Sequence, residues 1–452
     1  MKSNQYLRKN VSIAWPLALN ALLMQSMLMI DTFLVSPLGE ISLAAMGIAA
    51  TIVGFVLGIQ MALANGSQLV LSRAVGSGSD ISLARGFFAA MSINMITAIL
   101  FLVLITFFDE AIVGVLTQNK QLQNEVITYL DIAKYLLLFN ASTQVMIALC
   151  NAHGMTKVPF KGYLIELPVN IIASFMFIHG AFGFIGLGVE GAALGSVIAI
   201  VVRFVFLSAY LESSRRIKIV RVEFDAKFRH NIALHFKEIF PVAANVTMLQ
   251  VGATIYQLIY SQLNINAFVA ITIIMPWIKA GTQFIVAWSL SSAIMVSQAI
   301  GANKLDDLEN NINASVKMAL GISLISMLFF ILLSLTIERF YPDLSSDTYT
   351  ALSVIAPLYI LLPVVRAYNT VHGHVLRAVG RTTDVFKVNF GGQWLIGIPL
   401  CAYLVIGLDV SIFWAFAIIP LEEVIKLYPF RYIAKKAIKE FDQQNAAALS
   451  YD

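Results

Sequence analysis

The chain has 452 residues, of which 59% are hydrophobic and only 12% charged, with a mean hydropathy of +0.80. A soluble domain carries about 25% charged residues, so an ordinary globular protein is excluded. The net charge is +4; laid out along the loops it reports membrane topology and gives no ground for nucleic acid as a partner.

Apolar stretches recur from Val11 to the neighbourhood of Arg431. Each is long enough to cross a hydrocarbon core about 30 Å thick, and because lipid offers backbone groups no partner, each must be a helix. In chain order the expected spans are 12–36, 43–71, 87–108, 126–150, 160–180, 187–211, 239–262, 267–298, 312–337, 348–375, 385–407 and 410–430. The first carries Pro16 and Asp31 and runs on without a small-residue cleavage site, so it is read as an anchor rather than a removable signal. Cys150 and Cys401 both fall inside spans, which supports neither a disulfide framework nor a cysteine metal site.

Alternate loops differ sharply in charge. The set 1–12, 72–86, 151–162, 212–238, 301–311, 375–388 and 431–452 holds 22 of the 30 Lys and Arg, while the opposite loops hold only Lys120 and Arg339 beside Glu40, Asp109, Glu110, Glu125, Asp343, Asp347 and Asp409. The positive-inside rule then places both termini in the cytoplasm. The stretch Lys304–Glu309 is locally acidic and departs from the pattern.

Residues 16–76 align with 241–301 at a constant offset of 225 without a gap, and 14 of the 61 positions are identical. They include Pro16/Pro241, Asn20/Asn245, Gln25/Gln250, Ser67/Ser292 and Ser72/Ser297, polar matches that hydrophobic bias alone does not produce. Six spans per half give the two repeats the same orientation, related by an axis along the membrane normal, with a binding site expected between them. The fold class is therefore all-α and polytopic, with twelve transmembrane helices in two pseudo-two-fold lobes. The expected division is a lobe over 1–211, a cytoplasmic crossover over 212–238, a second lobe over 239–430 and a tail over 431–452.

The repeated segments also carry a family likeness. Pro16 and MLMIDTF around Asp31, SRAVGSGS after span two, ALCNAHGMTKVPF after span four, LPVNIIASFMFIHG, GLGVEGAALGSV, SQAIGANK and HVLRAVGRTTDVFKVNFGGQWLIGIPL stand in an order that resembles the multidrug and toxic compound extrusion (MATE) family over nearly the full length. The resemblance implies a bacterial inner-membrane antiporter, not an enzyme. Such a protein exports organic cations or other amphipathic compounds against an inward flow of protons or sodium, works as a monomer among membrane lipids, and needs no cofactor.

Asp31 is the first candidate for ion coupling. It lies deep in an otherwise uncharged helix, where a charge costs on the order of 2.5–3.5 kcal/mol, and burial disfavours the charged carboxyl, so modest changes in its surroundings drive protonation. Asn20, Met24, Met27 and Asp31 share one helix face. Pro16, on the same helix, is either a bend point or a helix-start proline; in the resembling family the matching helix bends with the state of its aspartate. On span five Tyr163, Glu166, Asn170 and Ser174 recur on one face. Asn170 matches an asparagine of the family's amino-terminal cation site, whereas the usual aspartate one turn later is Ser174. Glu166 either substitutes for that acid or snorkels at the cytoplasmic mouth. Ser196 matches a frequent threonine of the same site, or is a small residue for close packing.

The second half has Tyr256 where the first has Asp31, and its tenth span carries Arg366 and Asn369 without a carboxylate. The ion site is accordingly expected in the first lobe alone, as in the branch resembling DNA-damage-inducible protein F, with protons preferred over sodium. Arg203, Lys317, Arg366 and Lys426 are read as snorkelling cations, Lys426 paired with Glu422. Lys279 lines the cavity or answers a carboxylate. Further chamber candidates are Gln250, Tyr256, Tyr260, Trp277 and Gln283. A lipid-linked oligosaccharide flippase is the competing reading, kept open by Lys279 and Arg366. A membrane-embedded enzyme is the remote one, since no convergent His/Asp/Glu set is visible, and no P-loop occurs for an ATP-driven pump.

Overall fold

In a computed structural model the chain is described over residues 3–117, 119–214, 216–217, 220, 226–304, 308–342 and 344–449. The helices are α1 (Ser3–Val35), α2 (Glu40–Ser77), α3 (Asp80–Leu116), α4 (Lys120–Ala133), α5 (Leu136–Ala152), α6 (Lys157–His179), α7 (Val189–Ser213) and α8 (Ala226–Tyr260). They continue as α9 (Ile265–Gly281), α10 (Gln283–Gly301), α11 (Leu308–Phe340), α12 (Ser346–Ala378), α13 (Thr382–Phe390), α14 (Ile398–Ala402) and α15 (Ile412–Leu449). No strand occurs among the described residues.

Local chemistry sets the helix ends. Gly78, at φ +68°, closes α2 with its N–H on the Val75 carbonyl, a left-handed stop that glycine accepts without penalty. Ser79 then caps α3 by accepting from the Ser82 N–H, and Asn119 caps α4 by accepting from Gln121 and Leu122. The chain turns with little loop.

Among the described residues ten helical stretches are long and apolar enough to cross a membrane, and the pair α4–α5, bent by 45°, makes an eleventh. At 38 residues α15 is long enough for the twelfth, its apolar run broken by Glu422, Glu423 and Lys426. Two expected spans are thus interrupted helices. Between α9 and α10 the break falls at Thr282, and Ser326 of α11 donates to the freed Gly281 carbonyl at 2.8 Å. After α13 the chain runs through π-helical turns at Gly391–Gly397 and Tyr403–Gly407, a form often found beside functional sites.

The helices gather into two compact units. One comprises Leu19–Ala243; the other comprises Met1–Ala18 with Ala244–Asp452. These bounds depart from the expected lobes, because α1 and α8 each pass from one unit into the other at repeat-equivalent points just after Pro16 and Pro241. The expected crossover over 212–238 is helical from Ala226 on. Much of its remainder, together with 305–307 of the acidic stretch and Asp343, lies outside the described residues.

Within the unit containing α9 to α15, the start of α1 is held by Asn10, whose amide donates to Ser292 Oγ at 2.7 Å, and by Tyr6 bonded to Ser315 at 2.8 Å. Within the unit containing α2 to α7, the start of α8 is held by His235 against Ser67 Oγ at 2.9 Å. Asn10 and His235 differ by the same 225 residues as Ser67 and Ser292, so the repeat reproduces a buried contact as well as a fold. Each unit has its own core: Tyr256, Tyr260, Phe330, Tyr359 and Phe416 in one, and Val53, Val56, Tyr129, Leu130 and Leu137 in the other.

Candidate functional site

Asp31 projects from α1 towards the antiparallel hairpin α6–α7. Ser196 of α7 donates to its Oδ2 at 3.3 Å, and Asn170 of α6 donates to Ser196 Oγ at 3.2 Å. Asn170 and Ser174 are fully buried, and Asp31 Oδ1, Asn170 Oδ1 and Ser174 Oγ have no hydrogen-bond partner among the described residues. Buried polar atoms are nearly always paired. Three unpaired oxygens in one cluster, one on a carboxyl, form a place suited to a proton or a small hard cation.

Close helix contact builds this cluster. Gly191 and Gly195 on α7 are so near α6 that a Cβ on Gly195 would run into Ser174, and one on Gly191 into the Phe177 backbone. The spacing is the small-xxx-small pattern by which membrane helices approach. Packing and site are therefore coupled: the glycines bring Ser196 to the level of Asn170.

Glu166 and Tyr163 do not join Asp31. Arg203 of α7 donates to Glu166 Oε2 at 2.6 Å, reaches Thr143 Oγ1 at 3.4 Å and lies 4.4 Å from the Tyr163 ring centroid. Arg203 is buried rather than snorkelling, and so is Glu166. The expected stripe from Tyr163 to Ser174 spans eleven residues, about 16 Å of helix axis, too long to converge on one carboxyl. On an antiparallel partner, its two ends meet different levels of α7. Pro16 lies inside α1, which begins at Ser3, so the helix-start alternative is ruled out and the Ser12 carbonyl lacks its helical donor.

The chamber candidates divide. Asn20 is buried with Oδ1 unpaired, Met24 is exposed and Met27 half-buried. Trp277 donates to Tyr341 at 3.1 Å, Gln250 and Lys279 are exposed, and Gln283 is half-buried. Among the described residues Lys279 answers no carboxylate within ion-pair distance. Tyr256 and Tyr260 stand apart from these: they line a cavity of about 400 Å³ inside the unit containing α9 to α15.

That cavity carries two carboxylates, neither of them an acid matching Asp31 and neither on the tenth span. Tyr256 donates to Glu422 Oε2 at 2.8 Å, and Lys426 is ion-paired to the other oxygen of Glu422. Asn369 donates to Glu423 Oε2 at 2.8 Å, with Arg366 Nε 3.6 Å from Oε1. The acids come from span twelve rather than from the positions equivalent to Asp31. A pair of adjacent glutamates with a lysine one turn on, inside an apolar run, was the available signal. Gly397 admits the Tyr256 hydroxyl where a Cβ would collide with it.

Repeated membrane-crossing helices in two units, with a polar cluster inside each, are the architecture of a polytopic membrane transporter. The family model MatE matches residues 16–176 and 241–403, starting at the equivalent prolines, and the chain belongs to that family of transporters. It is 22% identical over 398 residues to the uncharacterized transporter YisQ of Bacillus subtilis, covering 87% of this chain and 86% of that one. With the multidrug resistance protein MdtK of Yersinia enterocolitica it shares 23% over 450 residues, 94% of each chain. The crystal structure of the Vibrio cholerae MATE transporter VcmN in the bent form superposes with a TM-score of 0.86 at 15% identity, covering 98% of this chain and 99% of that one.

Proposed function

We propose that the chain is a proton-coupled antiporter that exports organic cationic or amphipathic compounds by alternating access. It works as a monomer in a bacterial inner membrane with both termini in the cytoplasm. The observation that carries this reading is the Asp31 cluster: a carboxyl on a proline-containing helix, held by one long hydrogen bond and faced by two further unpaired oxygens. Protonation removes the charge that makes burial costly and changes what Ser196 and Asn170 can bond. Because α1 belongs partly to each unit, a change at Asp31 is transmitted along a helix that both share. Alternating access follows when the compound and the proton favour different states of that helix. The similarity to MdtK, a multidrug resistance protein, supports organic compounds as the cargo, and the MatE match does not favour the flippase reading.

The test uses the full-length protein in proteoliposomes with a fluorescent organic cation, under pH and sodium gradients imposed separately. A pH gradient is expected to drive transport, and Asp31→Asn to lower it at least about tenfold, as for loss of a positioned ionisable group. Transport driven by sodium alone would replace the proton, and undiminished pH-driven transport by Asp31→Asn would remove Asp31 from the mechanism.

A further inference from the structure

The cavity lined by Tyr256, Tyr260 and α15 has a charge balance that the Asp31 reading does not use. Three cations line it, Arg366, Arg377 and Lys426, against two carboxylates, Glu422 and Glu423, and His374 lies between Arg366 and Arg377 on α12. Both carboxylates are already engaged, Glu422 by Lys426 and Tyr256, Glu423 by Arg366 and Asn369. Among the described residues no acid stands within ion-pair distance of Arg377. His374 Nδ1, Asn369 Oδ1 and Gln393 Oε1 are buried without partners among the described residues, and Asn369 and Gln393 are more than nine-tenths buried. Arg366, Thr370, His374 and Arg377 follow helical spacing and share one face of α12, which is why all four line the same wall. The unanswered charge in this cavity is positive.

Its volume of about 400 Å³ falls within the range of small-molecule sites, and aromatic and apolar groups line it beside the polar wall. We infer that this cavity binds amphipathic compounds bearing a compact anionic group, held between Arg377 and His374, with the apolar body along Tyr256 and Tyr260. A guanidinium presents paired donors to a carboxylate or phosphate, and the guest supplies the anion that the protein does not. The inference rests on the exporter reading and extends its cargo to organic acids and zwitterions.

The probe pair is rhodamine B, with a free carboxylate, and its ethyl ester, in which that group is capped. Binding to the purified full-length protein is read by fluorescence anisotropy in phosphatidylcholine nanodiscs, and export of both dyes in proteoliposomes. Wild type is expected to bind the acid about tenfold tighter than the ester, the worth of one charge-assisted hydrogen-bonded pair. Arg377→Ala and Arg377→Gln, each checked for folding by thermal unfolding, bring that ratio to about one, and Arg377→Lys retains part of it. Equal binding of acid and ester by wild type, or a ratio untouched in both neutral variants, overturns the inference. A ratio erased by adding phosphatidylglycerol assigns the cavity to a lipid phosphate and overturns it as well. Export of the ester without preference for the acid leaves the exporter standing and sinks this inference alone; failure to bind or export either dye sinks both.

Discussion

A buried Glu166–Arg203 pair within two turns of the Asp31 cluster separates a structural role from a coupling one. The pair is held by Thr143 and by the Tyr163 ring, and removing one partner of such a pair leaves an uncompensated buried charge worth about 3–5 kcal/mol. Glu166→Gln is therefore expected to lower thermal stability strongly in detergent, whereas Glu166→Leu combined with Arg203→Met recovers most of it. A normal pH dependence of residual transport in the double variant places Glu166 outside ion coupling. Depth in the span made Asp31 legible in the sequence and helical spacing put Asn170 and Ser174 on one face, whereas Asn170 and Ser196 as members of an ion site were implied only by the family resemblance. The partner of Glu166 was not legible, because Arg203 sits 37 residues away and resembles any cation near a helix end until the hairpin register is known.

Helix contacts decide whether these side chains meet. Gly195→Ala forces a methyl group against Ser174 and is expected to cost about 1–3 kcal/mol, with loss of pH-driven transport as Ser196 is displaced. Gly321→Ala on α11, where nothing lies within 4 Å, is the control and gains up to about 1 kcal/mol of helix propensity. In α1, Pro16→Ala restores the donor to the Ser12 carbonyl. A higher melting temperature with slower transport is the expected outcome if the interior proline is where the helix flexes; unchanged transport would show that it is not. Spans one to three could be read as helices from hydropathy, although α1, α2 and α3 extend beyond the expected 12–36, 43–71 and 87–108 because their polar ends run out of the apolar stretch. The breaks at Lys134–Tyr135 and Thr282 and the π-helical turns after Phe390 could not, since an apolar run looks the same whether the helix is continuous or interrupted.

At the scale of the molecule, the internal repeat governs both units. Asn10 with Ser292 and His235 with Ser67 are one contact made twice. Asn10→Ala and His235→Ala are each expected to cost about 1–3 kcal/mol by leaving a buried polar group unpaired. A large loss from one and none from the other, measured by thermal unfolding, would show that the repeat has kept the geometry without the energetics. The offset of 225 also relates Val35 to Tyr260, the ends of α1 and α8, so the two first helices end at the same distance beyond their prolines.

Membrane insertion, helical class, span number, two-fold repetition and the Asp31 candidate were already determined by the order of the residues, because lipid forbids unpaired backbone and penalises a lone carboxyl wherever the fold places it. Which unit the start of each first helix joins, which acid answers Arg203, and whether Glu422 and Glu423 face a cavity were decided only in three dimensions. Those outcomes depend on contacts between helices far apart in the chain, and neither periodicity along one helix nor the charge of one loop carries the register at which two helices meet.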